Sequence, residues 1–478
     1  MSKIVVIGAG VGGLAAAVRL AAAGHEVAVH ESAPAVGGKL GRYERDGFVF
    51  DTGPSLLTLP QVFAELGLEL DTQSLEPVVR HVFPDGTVLD SSSDPGIFLG
   101  RIADTLGAGA AADWARFYHR AERIWNASWR SVLQREVTPA TLAALSWRVT
   151  DLAAIAPWRS LRSLGRRYLR DARLRMLLDR YATYTGADPR RAPAALAAIP
   201  YAELAFGGWY LPGGLSTLST ALLARCHSLG VTVTTSSPVT SVGVTAGRAT
   251  GVRLASGDQI PADVVVSNVD ALTTYRELLP TPSRLTSLAD RSLAGFVLLL
   301  GVRGATPELA HHTVFFPQNY NAEFDAVFGS VGRRARPASD PTIFVTRAAD
   351  PSVHPPGAEA WFVLVNAPRH GTAYSAVDWR RPGLADAYGA HILDLLAARG
   401  VEVRDRLEFM ETRTPADLAA ATGAPGGTIY GTAGGLLRPE NRGPVDGFFL
   451  VGGSTHPGGG LPMVTLSAKI VADTIGPA

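Results

Sequence analysis

The hydrophobic positions of this chain change period along its length. KIVVIG, residues 3–8, is a continuous apolar run, the pattern of a strand buried on both faces. LAAAVRLAAAG, residues 14–24, has helical spacing and a terminal Gly24. EVAVHE, residues 26–31, returns to a strand pattern. QVFAELGLEL (61–70) reads as helix and VVRHVFPDGTVLD (78–90) as strand-turn-strand. Residues 97–200 are rich in Ala, Leu and Arg with few strand signals, which predicts a mostly helical stretch. FGGWYLPGG (206–214) reads as a loop, STLSTALLARCHSLG (216–230) as a helix and VTVTTSSPVTSV (231–242) as one strand. Two strands joined at Ser256-Gly257-Asp258 and the apolar strand ADVVVSN follow. Later, FVLLLGV, TIFVTRAA and WFVLVNAP are strand-like, LADAYGAHILDLLAARG is a helix ended by Gly400, and GFFLVGG is a last buried strand. Parallel-sheet material thus occurs at both ends and in the middle. The expected organisation is a discontinuous α/β nucleotide-binding unit at 1–96, 201–284 and 426–478. A helical part lies at 97–200 and a mixed α+β part at 285–425.

Composition narrows the function classes. With 478 residues and 46% hydrophobic content the chain holds a large core and two or three domains. A net charge of +1 argues against nucleic acid as a partner, because phosphate binding needs a basic surface. Lys3, Lys39 and Lys469 are the only lysines among 44 basic residues, an arginine bias that carries no function. The single Cys226 excludes an intramolecular disulfide and a multi-cysteine metal site. Ser2-Lys3 lead straight into the first strand, so no secretory leader and a cytoplasmic setting are expected. The longest apolar candidate, Leu293–Val302, is far short of the ~18 residues a membrane-spanning helix needs.

The first strand runs into Gly8, Gly10 and Gly13 in G-x-G-x-x-G spacing, with Gly12 in the same turn. The strand before it, the helix after it and Glu31 complete the dinucleotide-binding pattern. Gly8 permits the tight turn, Gly10 lets a pyrophosphate approach the backbone, and Gly13 lets helix and strand pack closely. The helix N-terminus faces the phosphates, and Glu31 accepts from a ribose hydroxyl. An acid there repels a 2′-phosphate, which disfavours NADP.

Gly37-Gly38-Lys39 follows Glu31 and resembles the second phosphate-side motif of flavoprotein oxidoreductases. The chain also closes on GGSTHPGGGLPMVTLSAKIVADTI, residues 452–475, a second glycine-rich helix start. These stretches occur in order with FDTGPSLLT, GGWYLPGGLSTLSTAL, VVSNVDALTTYRELL and HHTVFFPQNYNAEFDAVF. Together they resemble the phytoene-desaturase-type carotenoid oxidoreductases, which are FAD flavoproteins. IYGTAGGLLRPENR, VNAP and PMVTLS are most similar to hydroxycarotenoid 3,4-desaturases within that family. The resemblance implies that Gly452 and Gly453 approach the ribityl and phosphate groups of FAD. It also implies that the Pro462-Met463 helix start faces the reducible edge of the flavin, and that Val239 meets the adenine. Many related flavoproteins carry an acid where Gly453 stands.

Several residues admit two readings. His456 either faces flavin or substrate and moves a proton, or hydrogen-bonds a backbone carbonyl within its turn; the turn role is favoured. His311 and His312 precede Phe315, Phe316, Tyr320, Phe324 and Phe328, which either line a polyene tunnel or form plain core. Residues 148–180 hold nine arginines and three aspartates, with Trp158, Leu161, Leu164 and Tyr168 at helical spacing. That pattern suits an anionic membrane surface, or a basic face whose apolar stripe packs inward. The expected activity is FAD-dependent desaturation of a carotenoid, with hydride passing to flavin N5 and a vicinal proton leaving. A 1-hydroxycarotenoid 3,4-desaturase is the finer reading. Phytoene desaturation, carotenoid ketolation, oxygenation or saturation, amine oxidation and a non-catalytic flavoprotein are the rivals. No metal site is expected.

Overall fold

The computed structural model describes all residues except 139, 142, 144–146 and 434–437. The IYGTAGGLLRPENR stretch therefore lies partly outside the described residues.

A parallel sheet of five strands has the order Phe448–Leu450, Val264–Ser267, Lys3–Ile7, Glu26–His30, Thr232–Thr234. Ile4, Val5 and Val6 pair with Val264, Val265 and Val266 on one side and Val27, Ala28 and Val29 on the other. The continuous apolar run of the central strand has a direct cause. Ile4 and Val6 face a core with Leu14, Val18, Leu222 and Val471, whereas Val5 and Ile7 face Val242, Val265 and Phe448. The first helix, Val11–Ala22, and the closing helix, Leu461–Ile475, share that first core.

The strand expected over 231–242 is two strands in two sheets. The backbone reverses at Ser236, where φ is 51°. Thr232–Thr234 joins the parallel sheet, and Val239–Thr245 begins an antiparallel sheet with Arg248–Leu254 and Gln259–Pro261. The helix expected over 61–70 is only Gln61–Ala64, since the chain turns out through Gly67 at φ 72°. The loop at 206–214 contains the short strand Trp209–Tyr210.

A seven-stranded mixed sheet runs Leu407–Arg413, Ala294–Arg303, Ala358–Ala367, Ile343–Arg347, His312–Phe315, Arg80–Val82, Val88–Asp90. On one face Phe296, Leu298, Leu300 and Trp361 pack with Ile392 and Leu396 of the helix Leu384–Ala398. On the other face, Leu299, Phe362 and Phe409 pack against Phe48 and Phe50, and the end with His312–Phe315 meets a helical layer that includes Ala108–Ser128, Leu161–Tyr168, Ala172–Arg180 and Ala198–Phe206. Trp114, Phe117, Leu161, Leu164, Leu178 and Tyr181 pack there with Val314, Phe316, Tyr320 and Phe324. Phe315 points to the opposite core. Of the aromatic run after His312, Phe315 leaves the set because adjacent strand residues face opposite sides, whereas Phe316, Tyr320, Phe324 and Phe328 share the core under the helical layer.

The basic stretch at 148–180 is also rearranged relative to expectation. Leu161 and Leu164 are buried, whereas Trp158 is 67% exposed in the turn before their helix, so the four apolar residues do not share a face. Arg162 is ion-paired with Asp179, and Arg170 with the buried Asp113, whose carboxyl is held down at about 2 chiefly by its Arg170 hydrogen bond. The exposed apolar side chains of this region are Trp147, Val149 and Trp158. Among the described residues, no helix is long and apolar enough to cross a membrane.

Candidate functional site

The N-terminal turn is built by close packing. Gly8 has φ 93°, which favours glycine. A Cβ on Gly13 would lie 2.0 Å from the Gly8 carbonyl oxygen, so only glycine lets the helix sit this close to its strand. The first helix starts after Gly10, and no side chain caps its N-terminus. Its opening amides are thus left for another acceptor. Gly37 N–H donates to the Ala9 carbonyl at 2.9 Å, and a Cβ on Gly38 would lie 3.2 Å from Gly10 Cα. The two N-terminal glycine turns therefore sit side by side.

Glu31, at the end of its strand, is buried and accepts from Ala9 N–H at 2.6 Å and Ala33 N–H at 2.8 Å. The carboxylate is held at the mouth of the glycine turn. Ser237 N–H donates to the Glu31 carbonyl and Ala255 N–H to the Pro238 carbonyl, which brings Val239 to the same edge.

The C-terminal turn converges on the same point. Gly452 has φ 104°, and the closing helix begins at Leu461-Pro462 behind Gly460, again with no side-chain cap. Pro462 fits this first turn, where its missing N–H would have no intrahelical partner. A Cβ on Gly12 would meet Val464 Cγ1 at 2.9 Å and Gly452 Cα at 3.0 Å. The two helix starts thus touch through Gly12. Asn268 lies between them: its side chain would be 2.6–2.7 Å from a Cβ on Gly10, Gly12 or Gly452. Met463 is half-buried beside the core under the helical layer. Gly453 is different, since a Cβ there would make only ordinary contacts at 3.5 and 3.8 Å.

Two uncapped helix starts, three crowded glycines and a carboxylate at the turn mouth suit a dinucleotide with a second reactive ring system. Residues 11–310 match the family described as flavin containing amine oxidoreductase. The chain belongs to this family. It is 33% identical over 497 residues to a 4,4′-diapolycopene oxygenase of Methylomonas sp., covering 99% of this chain and 98% of that protein. It is 29% identical to a 1-hydroxycarotenoid 3,4-desaturase of a Flavobacterium sp., covering 99% of both. An oxidoreductase from Methanosarcina mazei has the same fold at TM-score 0.66 and 17% identity, over 98% of this chain and 100% of that one. The protein is an FAD-dependent oxidoreductase, and the residues at the two turns fit that cofactor.

Within this flavoprotein, three residues gain roles that sequence spacing did not show. Asn268 follows the buried strand Val264–Ser267, at the carboxyl edge of the parallel sheet. Position was the available signal, because ligands of such sheets bind beyond the carboxyl ends of strands. Lys39 Nζ donates to the carbonyls of Thr428 at 3.0 Å and Ile429 at 2.7 Å. Burial pushes its pKa down to about 8, Asp270 opposes this, and the Arg291 charge adds to the fall. Arg291 is buried and bonds the Asp270 carboxylate at 2.7 Å and Thr428 Oγ1 at 2.9 Å. The lysine of the second glycine motif thereby ties the N-terminal unit to the 428–429 segment.

His456 is anchored. Its Nε2–H donates to the Val132 carbonyl at 3.0 Å, its N–H to the Pro439 carbonyl, and its own carbonyl accepts from Asn441 Nδ2. Burial lowers its pKa, so it is a neutral tie between the closing turn and the helical layer. Tyr430 is the ring that stands against Gly459: a Cβ there would be 2.4 Å from Tyr430 Cδ1. Among the described residues, no group of three or more His, Cys, Asp or Glu is placed to hold a metal ion.

Proposed function

We propose that this FAD oxidoreductase acts on a carotenoid and introduces carbon–carbon double bonds into it, with a 1-hydroxycarotenoid desaturated at the 3,4 position as the specific reaction. The observation that carries the reading is full-length similarity to proteins named for carotenoid oxygenation and desaturation. Gly8, Gly10, Gly12, Gly13 and Glu31 hold the adenosine and pyrophosphate side of FAD, with Gly37, Gly38, Lys39 and Val239 around it. Gly452, Gly453, Pro462 and Met463 hold the ribityl and flavin side. When bound, FAD supplies the two-electron acceptor.

The chain's own contribution is alignment and exclusion of water. Tyr181, Phe316, Tyr320 and Phe324 pack together between the helical layer and the mixed sheet, an aromatic core that suits contact with an apolar chain. A polyene spreads positive charge along its length as hydride leaves, so a strong base at the reacting carbon is unnecessary. This agrees with His456 being neutral and already bonded to a backbone carbonyl. The exposed Trp147, Val149 and Trp158, with the exposed Arg159, Arg166 and Arg167, supply the apolar and basic side chains for contact with an anionic membrane that holds a lipid-dissolved substrate.

A second reading is oxygenation of a carotenoid. It is favoured by the 33% identity to the diapolycopene oxygenase. Expression in a carotenoid-accumulating host separates the two. A pigment lighter by pairs of hydrogens supports desaturation; a pigment that has gained oxygen supports the second reading; unchanged pigment refutes both.

A further inference from the structure

Deep between the helical layer and the mixed sheet lies a polar cluster whose hydrogen bonds do not close. Arg180 ends the helix Ala172–Arg180 and is only 5% exposed. Its Nη2 donates to Tyr184 Oη at 2.9 Å, and its guanidinium carbon lies 5.0 Å from the Tyr184 ring centre and 5.8 Å from that of Phe344. Tyr181 and Tyr184 in turn donate to Glu203 at 2.7 and 2.8 Å. Arg180 Nη1 is buried and has no partner. A buried donor left unpaired costs free energy unless something satisfies it.

The facing wall supplies the complement. Register places His81, Val314 and Phe344 side by side on three adjacent strands, so their side chains share a face. His81 is fully buried, and its Nδ1–H donates to the Leu89 carbonyl at 3.1 Å. That bond fixes the tautomer and leaves Nε2 as a bare acceptor, which has no partner. Burial, aided by the Arg180 charge, pushes the His81 pKa down to about 3, so the ring is neutral. The His81 ring stacks on Phe316, which contacts Tyr320. Tyr320 Oη, also buried, has the Thr342 side chain nearby but no hydrogen-bond partner.

An unpaired donor and an unpaired acceptor in one aromatic-walled interior match a group that both accepts and donates. We propose that Arg180 and His81, with Tyr320 beside them, form an end-group site that binds a hydroxyl on an otherwise apolar substrate. The hydroxyl oxygen accepts from Arg180 Nη1 and its proton goes to His81 Nε2. A carbonyl satisfies only Arg180, and a hydrocarbon end satisfies neither. The site rests on the carotenoid reading above and adds the residues that select within that class.

The test compares an acyclic polyene hydrocarbon with the same polyene bearing a terminal hydroxyl, using FAD-loaded wild type, Arg180→Met and His81→Phe. Turnover and binding are both measured, binding by the shift in polyene absorbance. His81→Phe keeps an apolar ring in the stack and removes a bonded Nδ1 and the unpaired nitrogen, so a folded variant is obtained even where Arg180→Met destabilises. The expected result is a wild-type preference for the hydroxylated polyene. Arg180→Met then loses about 10- to 100-fold in kcat/KM for it, the range of a lost charge-assisted hydrogen bond, and His81→Phe about 3- to 10-fold, the range of a neutral one, with the hydrocarbon changed by less than about threefold. Equal losses on both substrates, or no wild-type preference, overturn the site and leave the carotenoid reading intact. Arg180-dependent binding without turnover overturns that reading and keeps the site. Binding of neither polyene overturns both.

Discussion

At the N-terminal turn, the groups that must fit together lie within one strand-helix-strand unit: Gly13 lies against the Gly8 carbonyl, and Glu31 closes on the Ala9 amide. The C-terminal turn is also tied to remote parts of the chain: Ala271 N–H donates to Ser454 Oγ, and Val451 N–H to the Ser267 carbonyl. Asn441 Nδ2 reaches the carbonyls of Leu450 and His456 and the Ser467 hydroxyl, and His456 reaches Val132. Both turns open an uncapped helix onto one place, but the first is made by local stereochemistry and the second by long-range hydrogen bonds. The difference teaches that similar-looking glycine motifs carry different risks. Both fail when a Cβ is added at the wrong glycine, Gly13 in the first and Gly452 in the second, but only the second also fails when an anchor outside the turn is lost.

The largest effect is therefore expected at Gly13. Gly13→Ala forces a Cβ against a backbone oxygen, and urea unfolding should show a loss of about 4 kcal/mol or more, with no FAD retained. Next comes Asn441→Ala, which removes two buried N–H donors that serve three acceptors, the carbonyls of Leu450 and His456 and the Ser467 hydroxyl. About 2–4 kcal/mol of stability should go, and bound FAD should dissociate faster. A neutral result would show that the closing turn does not depend on the Asn441 anchor. Glu31→Ala follows. FAD affinity, read by fluorescence titration, should weaken by about 1.5–3 kcal/mol as a charge-assisted contact disappears. The smallest effect separates two adjacent glycines. Gly453→Ala should cost under about 1 kcal/mol because its Cβ finds ordinary space. Gly452→Ala should cost clearly more, since it meets Asn268 at 2.6 Å in a left-handed backbone.

The same contrast sets what was legible in the sequence. The parallel strands, the first helix and the Gly8–Glu31 geometry follow from short-range pattern, because apolar runs and glycine spacing fix them within one βαβ unit. Asn268 and Arg291 were not legible as site residues. Their neighbours come from Gly10, Gly12 and Gly452 in one case and Asp270 and Thr428 in the other, which only the assembled sheet brings together. The amphipathic stretch at 148–180 misled for a related reason. Spacing grouped Trp158 with Leu161 and Leu164, but the helix starts after Trp158, so the tryptophan left the stripe and the leucines entered the core. His456 was readable as a turn residue, while its acceptor on Val132 was not.

The central claim is that the closing helix, although held from afar, points its positive end at the reducible part of the FAD whose other end the first helix holds. Negative charge gained on reduction is then favoured by that helix start. The direct measurement is the reduction potential of bound FAD in wild type and Pro462→Gly, each shown to retain the cofactor. The account predicts a potential lower by about 10–20 mV in the variant, from a dipole contribution of under about 1 kcal/mol spread over two electrons. An unchanged potential in a variant whose helix start has moved would contradict it and leave the closing turn as a lid alone.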